Sequence, residues 1–93
     1  MTAIKSTNNI TGRTLILYST SACHLCETAL ALIAPQLDSL AISLEEVEIS
    51  ESEPLMARYG IRIPVLKFAE GKEELGWPFT EEQFLKFVRL NQK

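Results

Sequence analysis

A short apolar run, Leu15-Ile16-Leu17-Tyr18, stops just short of Cys23-His24-Leu25-Cys26, which holds the only two cysteines of the 93-residue chain. That junction constrains the fold more than any other feature. The run is preceded by Gly12 and followed by Ser19-Thr20-Ser21, so it reads as a buried strand over Thr14–Ser19. Beyond it the apolar spacing changes. Leu25, Ala29, Leu32, Ile33, Leu37 and Leu40 recur at intervals of mostly three or four, the period of a helix. The cysteines therefore stand at a strand-to-helix turn, with the first thiol at the helix N-terminus. Free N–H groups and the helix macrodipole favour a thiolate there. A second thiol three residues on can displace a mixed disulfide and complete a two-electron exchange.

Downstream the pattern alternates again. Pro35 removes the bond to the Ala31 carbonyl, so a kink, or an end near Ala34 with a short restart, is expected. Leu44–Ile49 reads as a second strand, with Val47 and Ile49 on one face and Glu46 and Glu48 on the other. Glu45, Glu46, Glu48, Glu51 and Glu53 interleave with apolar residues and are read as a solvent-facing surface without a chemical role. Ser52-Glu53-Pro54 starts a short helix over Pro54–Tyr59 that Gly60 stops. Pro64–Phe68 is a third strand; a turn at Glu70-Gly71-Lys72 leads to a fourth near Glu73–Leu75. Thr80-Glu81-Glu82-Gln83 spells a capping box before a last helix lined by Phe84, Leu85, Phe87 and Val88. The order is β-α-β-α-β-β-α. A helix between the first two strands implies a right-handed parallel crossover and the Gly71 turn an antiparallel hairpin, so the sheet is mixed.

The totals set limits on function. The length suits one domain, divided into a flexible arm over residues 1–13 and a folded unit over 14–93. The apolar fraction of 46% and charged fraction of 23% are those of a globular protein. A net charge of −3 gives no footprint for nucleic acid or an anionic membrane. No stretch approaches the apolar length of a membrane span, and the first nine residues lack the apolar core of a signal peptide. A reducing cytoplasm is the expected location, where a Cys-x-x-Cys pair performs redox or metal chemistry more often than stapling. A structural zinc needs four ligands, and two cysteines with one histidine fall short.

The element order, with Cys23-x-x-Cys26 opening the first helix and Ile63-Pro64 opening the third strand, resembles the thioredoxin fold. Within it, Leu17-Tyr18-Ser19-Thr20-Ser21-Ala22-Cys23-His24-Leu25-Cys26 is most similar to the glutaredoxin branch. The small bacterial glutaredoxin-like proteins with a Cys-His-Leu-Cys site share this run, the Ile61-Arg62-Ile63-Pro64-Val65 strand entry and the Gly76-Trp77-Pro78-Phe79 turn. The resemblance covers roughly residues 14–90. It implies a four-stranded mixed sheet flanked by helices, with Cys23 as nucleophile and Cys26 as resolving thiol. Pro64 would be a cis-proline facing the disulfide, and Ile63 would offer its N–H and C=O to an extended substrate. The sequence departs from typical glutaredoxins at Thr20, near their Lys, at Ser21-Ala22, in place of Pro-Gly, and at Trp77, in place of a Gly.

Around the dithiol, protonated His24 would lower the Cys23 pKa. Trp77 is a candidate groove wall, with core filling as the alternative, and Tyr18 is expected to pack at its strand end. Arg62 and Lys67 are weaker candidates for receiving a ligand carboxylate. The expected function is thiol–disulfide oxidoreduction on a disulfide-containing protein or small molecule, by a monomer with no tightly bound cofactor and no metal. Glutathione and a thioredoxin-reductase-type enzyme are the candidate electron donors. Two alternatives stay open: a non-turnover thioredoxin-fold binding or redox-sensing module, and a glutathione-linked metal or iron–sulfur dimer.

Overall fold

The computed structural model describes residues 13–91; the arm expected over 1–13 lies outside them except for its last residue. Arg13 already belongs to the first strand, β1 (Arg13–Ser19). It is followed by α1 (His24–Ser39), β2 (Ile42–Glu48), a single 3-10 turn (Ile49–Glu51) and α2 (Glu53–Tyr59). The chain closes with β3 (Val65–Phe68), β4 (Glu74–Gly76) and α3 (Glu81–Leu90). The sheet order is β2-β1-β3-β4. β1 runs parallel to β2 and antiparallel to β3, and β3 runs antiparallel to β4. This is the mixed four-stranded sheet expected from the element order.

Alternation along β1 assigns the two faces. Leu15 and Leu17 point towards α1 and α3, where they join Ala29, Ile33, Leu66, Phe68, Phe84, Phe87 and Val88 in the main core. On the opposite face the short α2 packs a smaller cluster of Ile49, Tyr59 and Val65, with Tyr18, Leu55 and Ile63 at its edge. Tyr18 stacks on Tyr59 with ring centroids 4.1 Å apart, a contact of about 1 kcal/mol beyond the area it buries.

Local chemistry fixes the helix ends. The capping box at α3 closes in both directions. Gln83 donates its N–H to the Thr80 hydroxyl at 3.1 Å, and Thr80 donates its own to the Gln83 side chain at 2.8 Å. Ser52 caps α2 by accepting from the Leu55 N–H. Gly60 stops α2 in the right-handed region, so its need for glycine is one of space: a Cβ there would stand 2.5 Å from the Met56 carbonyl oxygen.

Of the two outcomes expected at Pro35 the end near Ala34 is not seen, and a second feature of α1 had no signal in the sequence. α1 runs through Pro35 without a break, because Ala29 and Ile33 before the proline and Leu37 after it all pack on the main core. That burial outweighs one missing exposed hydrogen bond. The other feature is Ala41, which leaves α1 at φ 57° with no glycine to signal it.

Candidate functional site

The site lies where the parallel strands end. β1 and β2 finish in register at Ser19 and Glu48. The connection from β1 reaches β2 through α1 on one face of the sheet, and the connection from β2 crosses back past β1 to β3 through α2 on the other. Open α/β sheets form crevices at such switch points, beyond the carboxyl ends of the strands. Here the crevice is an open cleft of about 380 Å³ lined by Ser19, Thr20, Ser21, Ala22, Cys23, Cys26, Glu27, Leu30, Glu46 and Glu48.

Cys23 is the N-cap of α1, with extended backbone. Its Sγ takes the place usually held by a serine or aspartate oxygen and accepts the Cys26 N–H at 3.1 Å. Cys26 lies one turn into the helix and is only 5% exposed, whereas Cys23 is half-buried at the cleft. The two are joined as a disulfide, with Cα atoms 5.2 Å apart, inside the usual range for such a bond. An incoming sulfur reaches Cys23 first. Ala22 places Cys23 there from a left-handed backbone, φ 60°.

The other expected residues are not among those lining this cleft. His24 is the first helical residue and is exposed. The Ile63–Pro64 bond is cis, and so is Trp77–Pro78. Neither Ile63, Pro64 nor Trp77 lines the cleft. Pro64 is fully buried. Ile63 packs on the Tyr59 cluster and donates its N–H to the Tyr59 carbonyl at 3.1 Å, which leaves only its carbonyl for an added strand. Trp77 packs on the main core, edge-on to Phe79 at 5.0 Å.

Arg62 has a partner within the chain. It donates to Glu74 at 2.6 Å, while the Tyr59 hydroxyl donates to the other oxygen of that carboxylate at 2.7 Å. Burial, with the Glu74 hydrogen bond next, pushes the Tyr59 hydroxyl up to about 12. The same Tyr59 bond, followed by that of Arg62, holds Glu74 below the usual carboxylate range.

The residue whose contacts the sequence pattern did not show is Glu48. Glu46 and Glu48 do share a strand face, but it is the face of Ile42 and Leu44, which pack into or against the main core. Beyond Leu44 that face opens, and the two carboxylates become a wall of the cleft. Glu48 Oε2 accepts from the Thr20 hydroxyl at 2.6 Å and the Ser50 N–H at 2.9 Å, and Oε1 accepts from the Ser21 N–H at 3.1 Å. Hydrogen bonds from Ser50 first, then from Thr20 and Ser21, lower its pKa from 4.5 to about 2. Thr20, which stands near the lysine of typical glutaredoxins, thus serves the chain's own carboxylate.

Residues 14–89 match the family model described as Glutaredoxin-like domain (DUF836). The chain belongs to this glutaredoxin-like family. Among solved structures, the glutaredoxin-like domain is similar to the protein XcR50 from X. campestris, at 32% identity and a TM-score of 0.71, over 84% of this chain and 99% of that one. It is also similar to the protein Ne2328 from Nitrosomonas europaea, at 28% identity and a TM-score of 0.70, over 81% and 89% of the two chains. A mutant thioredoxin from Halobacterium salinarum NRC-1 shares 15% identity at a TM-score of 0.68, over 100% and 86%, which speaks for the thioredoxin fold alone. No curated protein matches the sequence. The glutaredoxin-like fold and its Cys23–Cys26 pair together support a redox role. No helix among the described residues is long and apolar enough to cross a membrane.

Proposed function

We propose that this glutaredoxin-like domain is a dithiol–disulfide oxidoreductase. The observation that carries the reading is the asymmetry of the pair: Cys23 caps the helix at the cleft with its sulfur on a free N–H, and Cys26 is buried behind it. The Cys23 thiolate attacks one sulfur of a substrate disulfide. That S–S bond breaks, and the departing thiolate takes up a proton. Cys26 then loses its proton and attacks Cys23 Sγ, releasing the second substrate thiol. Two electrons pass to the substrate, leaving the Cys23–Cys26 disulfide. Leu25, between the cysteines and 52% exposed, offers an apolar contact beside the disulfide and supports a protein substrate. The carbonyl of Ile63, beside cis-Pro64, is the strand-pairing group left to such a substrate.

The donor that restores the dithiol is a thiol compound or a reductase. Among the described residues the cleft wall holds Glu27, Glu46 and Glu48 and no Lys or Arg, so these residues offer glutathione, with net negative charge, no counter-charge. Glutathione is therefore expected to reduce the disulfide more slowly than a neutral dithiol, with the gap narrowing in high salt. A monomer in a reducing cytoplasm completes the proposal.

The test is a redox titration in glutathione buffers, read by alkylation and mass, together with turnover of a model disulfide. Cys23→Ser should abolish exchange and Cys26→Ser should trap a mixed disulfide on Cys23. Full activity in Cys23→Ser, or no intramolecular disulfide at any poise, would sink the dithiol mechanism.

A further inference from the structure

Past Ser19 and Glu48 the β1–β2 ladder ends, yet the next residues must deliver Cys23 to one defined place. Thr20 to Ala22 contains neither glycine nor proline. Ala22 nonetheless adopts φ 60°, a conformation that a side chain resists and that persists only where the surroundings impose it. The group that lies against this loop is the Glu48 carboxylate. It takes one hydrogen bond from the Thr20 hydroxyl and one from the Ser21 N–H on the loop entering α1, and a third from the Ser50 N–H on the turn leaving β2. One side chain thus continues the ladder for two further residues and stops next to the strained alanine. The loop ends at Cys23, whose sulfur accepts the Cys26 N–H.

We propose that Glu48 is a positioning residue for Cys23: it holds Thr20–Ala22 so that the left-handed Ala22 sets the sulfur on the helix N-terminus. The proposal rests on the reading of Cys23 as the nucleophile. A carboxylate beside a thiol also acts through charge, with the opposite sign, since it disfavours the thiolate. Position wins here for two reasons. Glu48 is one of three carboxylates in an open, solvated cleft, with Glu27 and Glu46, and its charge is already met by three donors. The hydrogen bond to Cys23 Sγ, by contrast, is direct.

The experiment is the rate at which iodoacetamide alkylates Cys23 at neutral pH in the reduced full chain, read by mass. It is run on wild type, Glu48→Ala, Glu48→Asp, Ala22→Gly and the double variant Glu48→Ala/Ala22→Gly. Asp keeps the charge but falls one methylene short of the loop. Both Glu48 variants should alkylate about three- to tenfold more slowly than wild type, because each unit of thiol pKa is a tenfold change in thiolate. Glycine enters the left-handed region unaided, so the double variant should return to within about twofold of Ala22→Gly alone. A rate in Glu48→Ala equal to or above wild type would overturn the proposal, as would failure of Ala22→Gly to restore it. Should Glu48→Ala not fold, Thr20→Val removes one arm of the clamp and must slow alkylation in the same direction; no slowing overturns the idea. Alkylation needs no disulfide substrate. A wild-type protein that reduces no disulfide would therefore end the oxidoreductase reading while leaving the positioning result to stand or fall by itself.

Discussion

The two ends of α1 meet the same backbone problem and solve it differently. At both ends the chain passes through a left-handed alanine, Ala22 at φ 60° on entry and Ala41 at φ 57° on exit. On exit the closure is local. Leu40 donates its N–H to the Gln36 carbonyl and Ala41 donates to that of Asp38, each at 3.1 Å, in the manner of an ordinary helix stop. On entry a short turn at Ser21–Ala22 leads into the helix, and a glutamate from the neighbouring strand holds the loop from outside. The exit follows from α1 itself, whereas the entry exists only in the folded domain. Strain that depends on tertiary contacts is found beside the proposed nucleophile.

The largest effect expected from perturbing this contrast lies towards the exit. Pro35→Ala restores the hydrogen bond to the Ala31 carbonyl. A proline inside a helix costs about 3 kcal/mol, and part of the gain is returned through a freer unfolded chain. A net stabilisation of about 1–2 kcal/mol is expected, raising Tm by roughly 4–8 °C per kcal/mol for a domain of this size. Pro35 is twelve residues along α1 from Cys23, about 18 Å at the helical rise. Thermal unfolding should therefore shift while the Cys23 alkylation rate does not. A change in both would mean that the two ends are coupled through the helix.

The paired alanines give a smaller and sharper test. Ala41→Gly should stabilise the domain by about 1 kcal/mol through relief of the left-handed Cβ, with no change in thiol reactivity. Ala22→Gly should give a similar gain and also remove the dependence of Cys23 on Glu48. Urea midpoints and alkylation rates measured on both variants decide the matter. If both alanines move stability alone, the entry is an ordinary turn and the contrast dissolves.

Much of this architecture was legible in the sequence, because periodicity and capping act over a few residues. The change from an apolar run to three-and-four spacing at Cys23 placed the strand, the helix and the dithiol. Thr80 and Gln83 announced α3. The unread part was set at longer range. Pro35 looked like a kink or an end because its local cost is visible, while the burial of Ile33 and Leu37 that keeps the helix going depends on packing against the sheet. The alternation of β2 correctly put Glu46 and Glu48 on one face. It could not show that the core covers that face only as far as Leu44, beyond which the strand borders a cleft. Ala22 carried no signal, since alanine is silent about φ. Trp77 and Arg62 were ambiguous for a related reason: composition does not say whether Phe79 or Glu74 has already claimed them.

The smallest expected effect separates the two ends by pH. Glu48 titrates at about 2 in the folded chain against an ordinary value of 4.5, so its folded pKa is depressed. The stability it contributes is then fully present above about pH 4.5 and is lost as pH falls towards 2. Wild type should unfold at higher urea than Glu48→Ala at pH 7, and the difference should shrink through that window. Glu27 and Glu46 in the same cleft, and Glu74 on the other face, are common to both proteins and cancel to first order in the difference. The corresponding difference between Ala41→Gly and wild type should stay flat, because the exit is closed by backbone carbonyls alone. Urea midpoints at about pH 7, 4.5 and 2.5 provide the comparison. A Glu48→Ala deficit of unchanged size at the lowest pH would assign the stabilisation to the packing of the side chain, and the carboxylate would no longer distinguish the entry of α1 from its exit.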